Sequence, residues 1–179
     1  GGGASAPLGL HVIAGQSNAV GQGQVLQSDS GLGYVNPFSS VQMHQMIASA
    51  AEDPIDWTTI ATDDLQPYAA DGVANMGVEV SLGRVLYSGT GEAPEGMPAF
   101  LAKMAINGSS LAREWLPTGT YPTGDNLFTR FVEYLHDRET ESSEPLASIT
   151  WIQGETDADD ADDAADYEAN LTAFLTALR

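Results

Sequence analysis

"HVIAGQSNAVGQG", residues 11–23, decides how this chain is read. Residues 9–14, "GLHVIA", form a short apolar run that predicts a buried strand ending at Gly15. Directly after it comes a serine between two amide side chains, Gln16 and Asn18, with Gly21 and Gly23 beyond. A strand that ends in this way closes either in an ordinary surface turn or in the seat of a nucleophile, Ser17. The rest of the chain has to decide between the two.

The same pattern occurs twice more. Residues 98–106, "PAFLAKMAI", predict a second buried strand that runs into "NGSS" at 107–110. Residues 146–153, "LASITWIQ", predict a third strand, ending at Gly154, with "QGETD" at 153–157. Between and after these strands lie helical periodicities. Val78, Leu82, Val85 and Leu86 share a face in 75–88. Leu127, Phe128, Phe131, Val132 and Leu135 do so in 126–139, and Tyr167, Leu171, Phe174, Leu175 and Leu178 in 162–179. The acidic start of that last helix suits the positive end of its dipole. Strands alternating with helices predict an α/β fold, a mainly parallel sheet covered on both faces in three α/β/α layers. No internal repeat or domain boundary is evident. Residues 1–8 read as a linker or trimmed N-terminus and 9–179 as one domain. Residues 24–72 are rich in Gly, Pro, Ser, Asp and Gln and read as a long irregular stretch, of the kind that carries function or short embedded elements.

In an open parallel sheet, ligands bind beyond the carboxyl ends of the strands. One Gly-rich turn there is unremarkable in any α/β protein. Three on one edge would assemble a hydroxyl, backbone N–H groups, a side-chain amide and a carboxylate, which are the parts acyl transfer needs.

"IAGQSNAVG", "NMGVEVSLGR", "KMAINGSSLAREW" and "WIQGETDA" resemble, in order, the successive blocks of the SGNH-hydrolase superfamily. The branch they are most similar to holds acetylxylan esterases of carbohydrate esterase family six and sialate O-acetylesterase-like domains. The resemblance spans nearly the whole chain and implies a flavodoxin-like sheet. It implies Ser17 as nucleophile on an acetyl ester, with an oxyanion hole formed by the Ser17 N–H, the Gly108 N–H and the Gln153 side-chain amide. A neutral amide suits that task because it donates to developing charge without having to ionise. Glu155 is either the acid that orients a catalytic histidine or a brace accepting N–H bonds within its loop. Asn18 and Trp115 are candidate substrate contacts. This is not the G-x-S-x-G elbow of α/β-hydrolases, since Ala19 stands where the second glycine would be.

Serine needs a general base, normally histidine. The family supplies one from an Asp-x-x-His block near its C-terminus, and this chain has no such block among its three histidines. His11 lies inside the first strand, His44 in the long irregular stretch, and His136 at the polar end of a helix. The expectation is that the 179 residues are an incomplete copy of the domain, lacking its C-terminal strand and the histidine block, and that they hydrolyse esters poorly alone.

Other features weigh less. "DADDADDAADYE", 157–168, resembles a calcium loop, but Asp162 stands where the turn requires glycine, so a solvated helix start is expected and no metal. Trp57, Trp115 and Tyr121 could stack on sugars or could be ordinary core and rim aromatics. Cysteine is absent, which excludes disulfides and thiol chemistry, and no cofactor is implied. With 25 acidic and 6 basic residues the net charge is −19, and Lys103 is the only lysine. Such a chain repels nucleic acid and anionic membranes and suits a saline, halophilic setting or a secreted protein. Secretion is otherwise implied only by analogy with polymer-degrading relatives. Two functional classes remain: a serine esterase acting on acetylxylan or a similar acetylated carbohydrate, and a non-catalytic carbohydrate-binding or structural domain that has lost the histidine.

Overall fold

The computed structural model describes residues 9–21, 23–24, 41–49, 58–62, 68–70, 73–88, 99–119 and 126–179. In chain order these form β1 (Leu10–Gly15), α1 (Ser17–Val20), β2 (Gly23–Gln24), β3 (Val41–Ser49), β4 (Thr58–Thr62), β5 (Tyr68–Ala70), β6 (Val73–Met76) and α2 (Val78–Ser88). There follow β7 (Ala99–Asn107), a single π-helical turn (Leu111–Trp115), α3 (Leu127–Ser142), β8 (Leu146–Ile152), α4 (Glu155–Ala158) and α5 (Ala161–Ala177).

The main sheet has the order β4-β3-β7-β1-β8. β3, β7, β1 and β8 are mutually parallel, and β4 runs antiparallel on the outer side of β3. A second, small sheet joins β2, β6 and β5. β1 lies between β7 and β8, so its side chains bury on both faces. Leu10, Val12 and Ala14 pack with Met104, Trp115, Phe131 and Phe174 on one side, under the π-helical turn, α3 and α5. Ile13 packs with Ala19, Val20, Ile47 and Ala105 on the other, where Val78 and Leu82 of α2 close over it. The expected three-layer α/β/α arrangement is therefore present. Each fully buried aromatic or aliphatic side chain contributes about 1.5–3 kcal/mol.

The stretch 24–72, expected to be irregular, holds three strands besides the end of β2: β3, β4 and β5. His44, expected in a loop, is on β3. Met43, Gln45 and Ile47 are buried while His44 and Met46 are half-buried, a two-residue alternation. A buried Gln45 in the inward series hid that period from a hydrophobicity reading. The helix expected from residue 75 begins at Val78, because Val73–Met76 pair as β6. Trp57 and Tyr121 lie outside the described residues.

Candidate active site

The register of β1 sets the site. Gly15 is level with Ala105 of β7 and with Ile152 of β8. Ser17, Gly108 and Gln153, a few residues further on, therefore leave the sheet at one margin, its carboxyl edge. Gly15 must be glycine here. Its φ is 143°, and a Cβ would meet the Ile152 carbonyl oxygen at 1.9 Å. That closeness lets the Gln16 N–H donate to the same oxygen at 3.0 Å.

Beyond the strands the three loops are tied by side chains. The Gln16 Oε1 is buried and accepts from Gln153 Nε2 at 3.1 Å and from the Thr156 N–H at 3.3 Å. Gln153 Nε2 also donates to the Ser109 carbonyl at 3.0 Å and to the Asp157 carboxylate. The Tyr167 hydroxyl is placed to donate to the Gln153 Oε1 at 3.0 Å and to its carbonyl at 2.7 Å. Burial raises the pKa of that hydroxyl, reinforced by the charges of Asp157 and Glu155 and opposed by a hydrogen bond from Trp151, so it stays a donor at neutral pH.

Ser17 is the first residue of α1 and is half-buried. No described residue hydrogen-bonds its hydroxyl. Its N–H belongs to a first helical turn, where no intrahelical acceptor exists. Gly108, exposed and at φ 72°, begins the turn after β7. Beneath it the Ser109 hydroxyl donates to the Ile106 carbonyl at 3.0 Å and accepts from Trp115 Nε1 at 2.8 Å. The Ser110 N–H donates to Glu114 at 2.6 Å, and burial raises the Glu114 carboxyl pKa against that bond.

Among the expected site residues, Ser17, Gly108 and Gln153 are gathered at one margin. The Gln153 amide, expected as the third oxyanion donor, is instead turned inward, its two N–H hydrogens shared among Gln16, Ser109 and Asp157. Glu155 is exposed and accepts from the Asn18 side-chain amide. Trp115 needs correcting as a candidate sugar contact. It is 0 % exposed, edge-on to Trp151 at 5.1 Å and to Phe131 at 5.9 Å, a core residue that offers no face to a ligand. The acidic stretch from 157 forms α4 and α5. There the Asp160 side chain caps α5 by accepting the Asp162 N–H at 3.0 Å, and Asp157 is buried against the loop after β7.

No histidine is placed to serve Ser17. His11 bonds Ser148 Oγ at 2.8 Å, four residues before Gly15, or about 13 Å along the strand. His44 pairs with the Tyr134 hydroxyl at 2.9 Å, and His136 is exposed on α3. Two residues that organise the site escaped the sequence reading, Gln16 and Asp157. Their signal was available: Gln16 adjoins the serine, and Asp157 stands four residues after Gln153, a spacing that brings the two side chains together on a helical turn.

A family model described as carbohydrate esterase, sialic acid-specific acetylesterase, matches residues 7–179. A search of curated proteins returns no match. Among solved structures, the chain is similar to a protein from Arabidopsis thaliana, with TM-score 0.62 and 19% identity over 97% of this chain and 68% of that one. It is similar to NanS, with TM-score 0.63 and 16% identity over 98% of this chain and 63% of NanS. It is also similar to a carbohydrate acetylesterase from Xanthomonas citri, with TM-score 0.55 and 16% identity over 96% of this chain and 38% of that one. At these identities the likeness concerns the fold, and the chain spans 38% to 68% of the length of these structures.

Proposed function

The chain belongs to the carbohydrate esterase, sialic acid-specific acetylesterase family, and from that premise we propose that it removes O-acetyl groups from carbohydrate through an acyl-enzyme on Ser17. The observation that carries this reading is the position of Ser17, half-buried at the carboxyl edge of β1 between the turns that follow β7 and β8. Acetylxylan or a similar acetylated polysaccharide is the proposed substrate, met outside the cell, where an acidic surface keeps the protein soluble in salt.

The Ser17 oxygen attacks the acetyl carbonyl carbon while a base takes its proton. The N–H groups of Ser17 and Gly108 face the oxyanion that forms. Collapse of the tetrahedral intermediate expels the sugar hydroxyl, which receives the proton. Water then cleaves the acyl-enzyme to acetate and regenerates Ser17. Loss of one oxyanion donor costs roughly 3–4 kcal/mol of transition-state stabilisation. Because His11, His44 and His136 are all held away from Ser17, the base is proposed to come from an Asp-x-x-His segment outside these 179 residues.

The absence of a histidine at Ser17 among the described residues also favours a second reading, a carbohydrate-binding domain without turnover. Acetate release by the wild type and by Ser17→Ala, both in the full-length protein with its Asp-x-x-His segment, together with phosphonate labelling of Ser17, separates the two. An esterase loses release and labelling with the substitution. A binding domain shows neither in either form yet retains glycan binding.

A further inference from the structure

We infer that Asp157 is a positioning residue: its buried carboxylate holds the loop after β7, which carries Gly108, against the loop after β8, which carries Gln153. The catalytic meaning of this contact rests on the esterase reading, while its geometry does not.

Asp157 is 0 % exposed, and no Lys, Arg or His among the described residues forms an ion pair with it. A carboxylate buried without donors costs several kcal/mol. Here the charge is met by donors alone. Oδ1 accepts from the Ser110 hydroxyl at 3.0 Å and the Ala112 N–H at 3.0 Å. Oδ2 accepts from the Leu111 N–H at 2.9 Å and from the Gln153 amide. Three of the four donors therefore belong to residues 110–112, directly after Gly108 and Ser109. Two are backbone groups at the start of the π-helical turn, where N–H groups lack partners within the turn. The fourth donor, Gln153, returns to the same loop through the Ser109 carbonyl.

One carboxylate thus fixes both the path of the chain leaving Gly108 and the orientation of the Gln153 amide. Being wholly buried, it touches no substrate. An amide at this place fails, because in either orientation its NH2 would confront a backbone N–H, of Ala112 or of Leu111. Fixing an oxyanion donor in advance lowers the barrier without altering ground-state binding.

The test is Asp157→Asn in the full-length protein with its Asp-x-x-His segment, with Ser110→Ala as a milder variant that removes one donor. Amide hydrogen exchange at Leu111 and Ala112 is expected to quicken by about tenfold or more, while Val12 and Met104 in the sheet stay as in the wild type. Turnover of an acetyl ester, normalised to the Ser17 titrated by phosphonate, is expected to fall about 100-fold with KM within about threefold. Ser110→Ala is expected to show the same pattern at about tenfold, and it decides the matter if Asp157→Asn does not fold. A merely structural Asp157 leaves kcat per titrated site at the wild-type value, which overturns the inference, as does unchanged exchange at Leu111 and Ala112. Should the wild type, with the Asp-x-x-His segment present, neither label nor turn over, the esterase reading falls, and the exchange data alone then decide whether Asp157 holds the loop.

Discussion

The Lys103 ammonium lies 3.1 Å from the Glu79 carboxylate, and neither side chain reaches solvent. In a chain with 25 acidic residues and one lysine, that lysine sits in the central strand β7. It also donates to the Val20 carbonyl at 2.8 Å, at the end of the one-turn helix that begins with Ser17. Glu79 in turn accepts the Gly77 N–H at 3.1 Å. A four-residue helix has no stability of its own, so its place depends on such anchors.

Breaking this pair from one side leaves a buried charge unmatched. Lys103→Met is expected to cost about 3–5 kcal/mol. Lys103→Met combined with Glu79→Gln, which keeps an acceptor for Gly77, is expected to cost clearly less than the two single changes added together. Urea unfolding of the four species measures this. Strict additivity would show that the pair does not interact.

Gly15→Ala places a methyl group where the Ile152 carbonyl already stands, on a backbone with φ 143°. Relief requires β1 and β8 to separate at the point that launches Ser17. The expected loss is about 3 kcal/mol or more, seen as a fall in Tm or as insolubility. A variant with wild-type Tm would mean that the two strands do not approach this closely.

Trp115→Ala is expected to cost about 3–5 kcal/mol of stability, because the ring is the buried centre of an aromatic cluster with Phe131, Trp151 and Phe174. Glycan affinity of the fraction that stays folded is expected to be unchanged. Weaker sugar binding at wild-type stability is the opposite result, and isothermal calorimetry with thermal melts distinguishes them.

Glu155→Gln separates the two roles considered for that residue. Its contact is the Asn18 side-chain amide, which Gln can keep through its carbonyl oxygen. The expected fall in kcat/KM on an acetyl ester is less than about tenfold. Loss of a triad acid costs about 10⁴-fold, and a fall of that size would make Glu155 the partner of the histidine.

His44 is expected to make stability depend on pH. Burial lowers its pKa below the ordinary value, aided by the Arg138 charge and opposed by Glu141. The unfolded chain then binds a proton more readily than the folded one. The contribution is fully present above about pH 6.5, the unfolded value, and is lost as pH falls through the lower folded value. Denaturation midpoints at pH 7.5 and 5.5 are expected to differ more in the wild type than in His44→Gln.

Much of the architecture was legible in the chain. β1 and β7 are buried apolar runs closed by polar or glycine turns, because burial against a sheet imposes that pattern locally, while β8, last in the sheet among the described strands, is exposed over Leu146–Ser148. α3 and α5 carry apolar stripes, but Val132 and Leu175, expected on the core faces, are exposed. β3 was not legible, since its inward series contains Gln45 and is held by pairing with β7 across more than fifty residues of sequence. The site divides in the same way. Ser17 and Gly108 stood out because a nucleophile and a close-approaching backbone need particular residue types in particular turns. Asp157 sat in an acidic run that resembles a solvated helix start, and Trp115 in a turn that resembles a sugar platform. Residue type and spacing determine what a segment can do by itself. Whether a carboxylate faces water or four donors, and whether an indole faces a ligand or three other rings, is decided by segments distant in the chain that only the folded protein brings into contact.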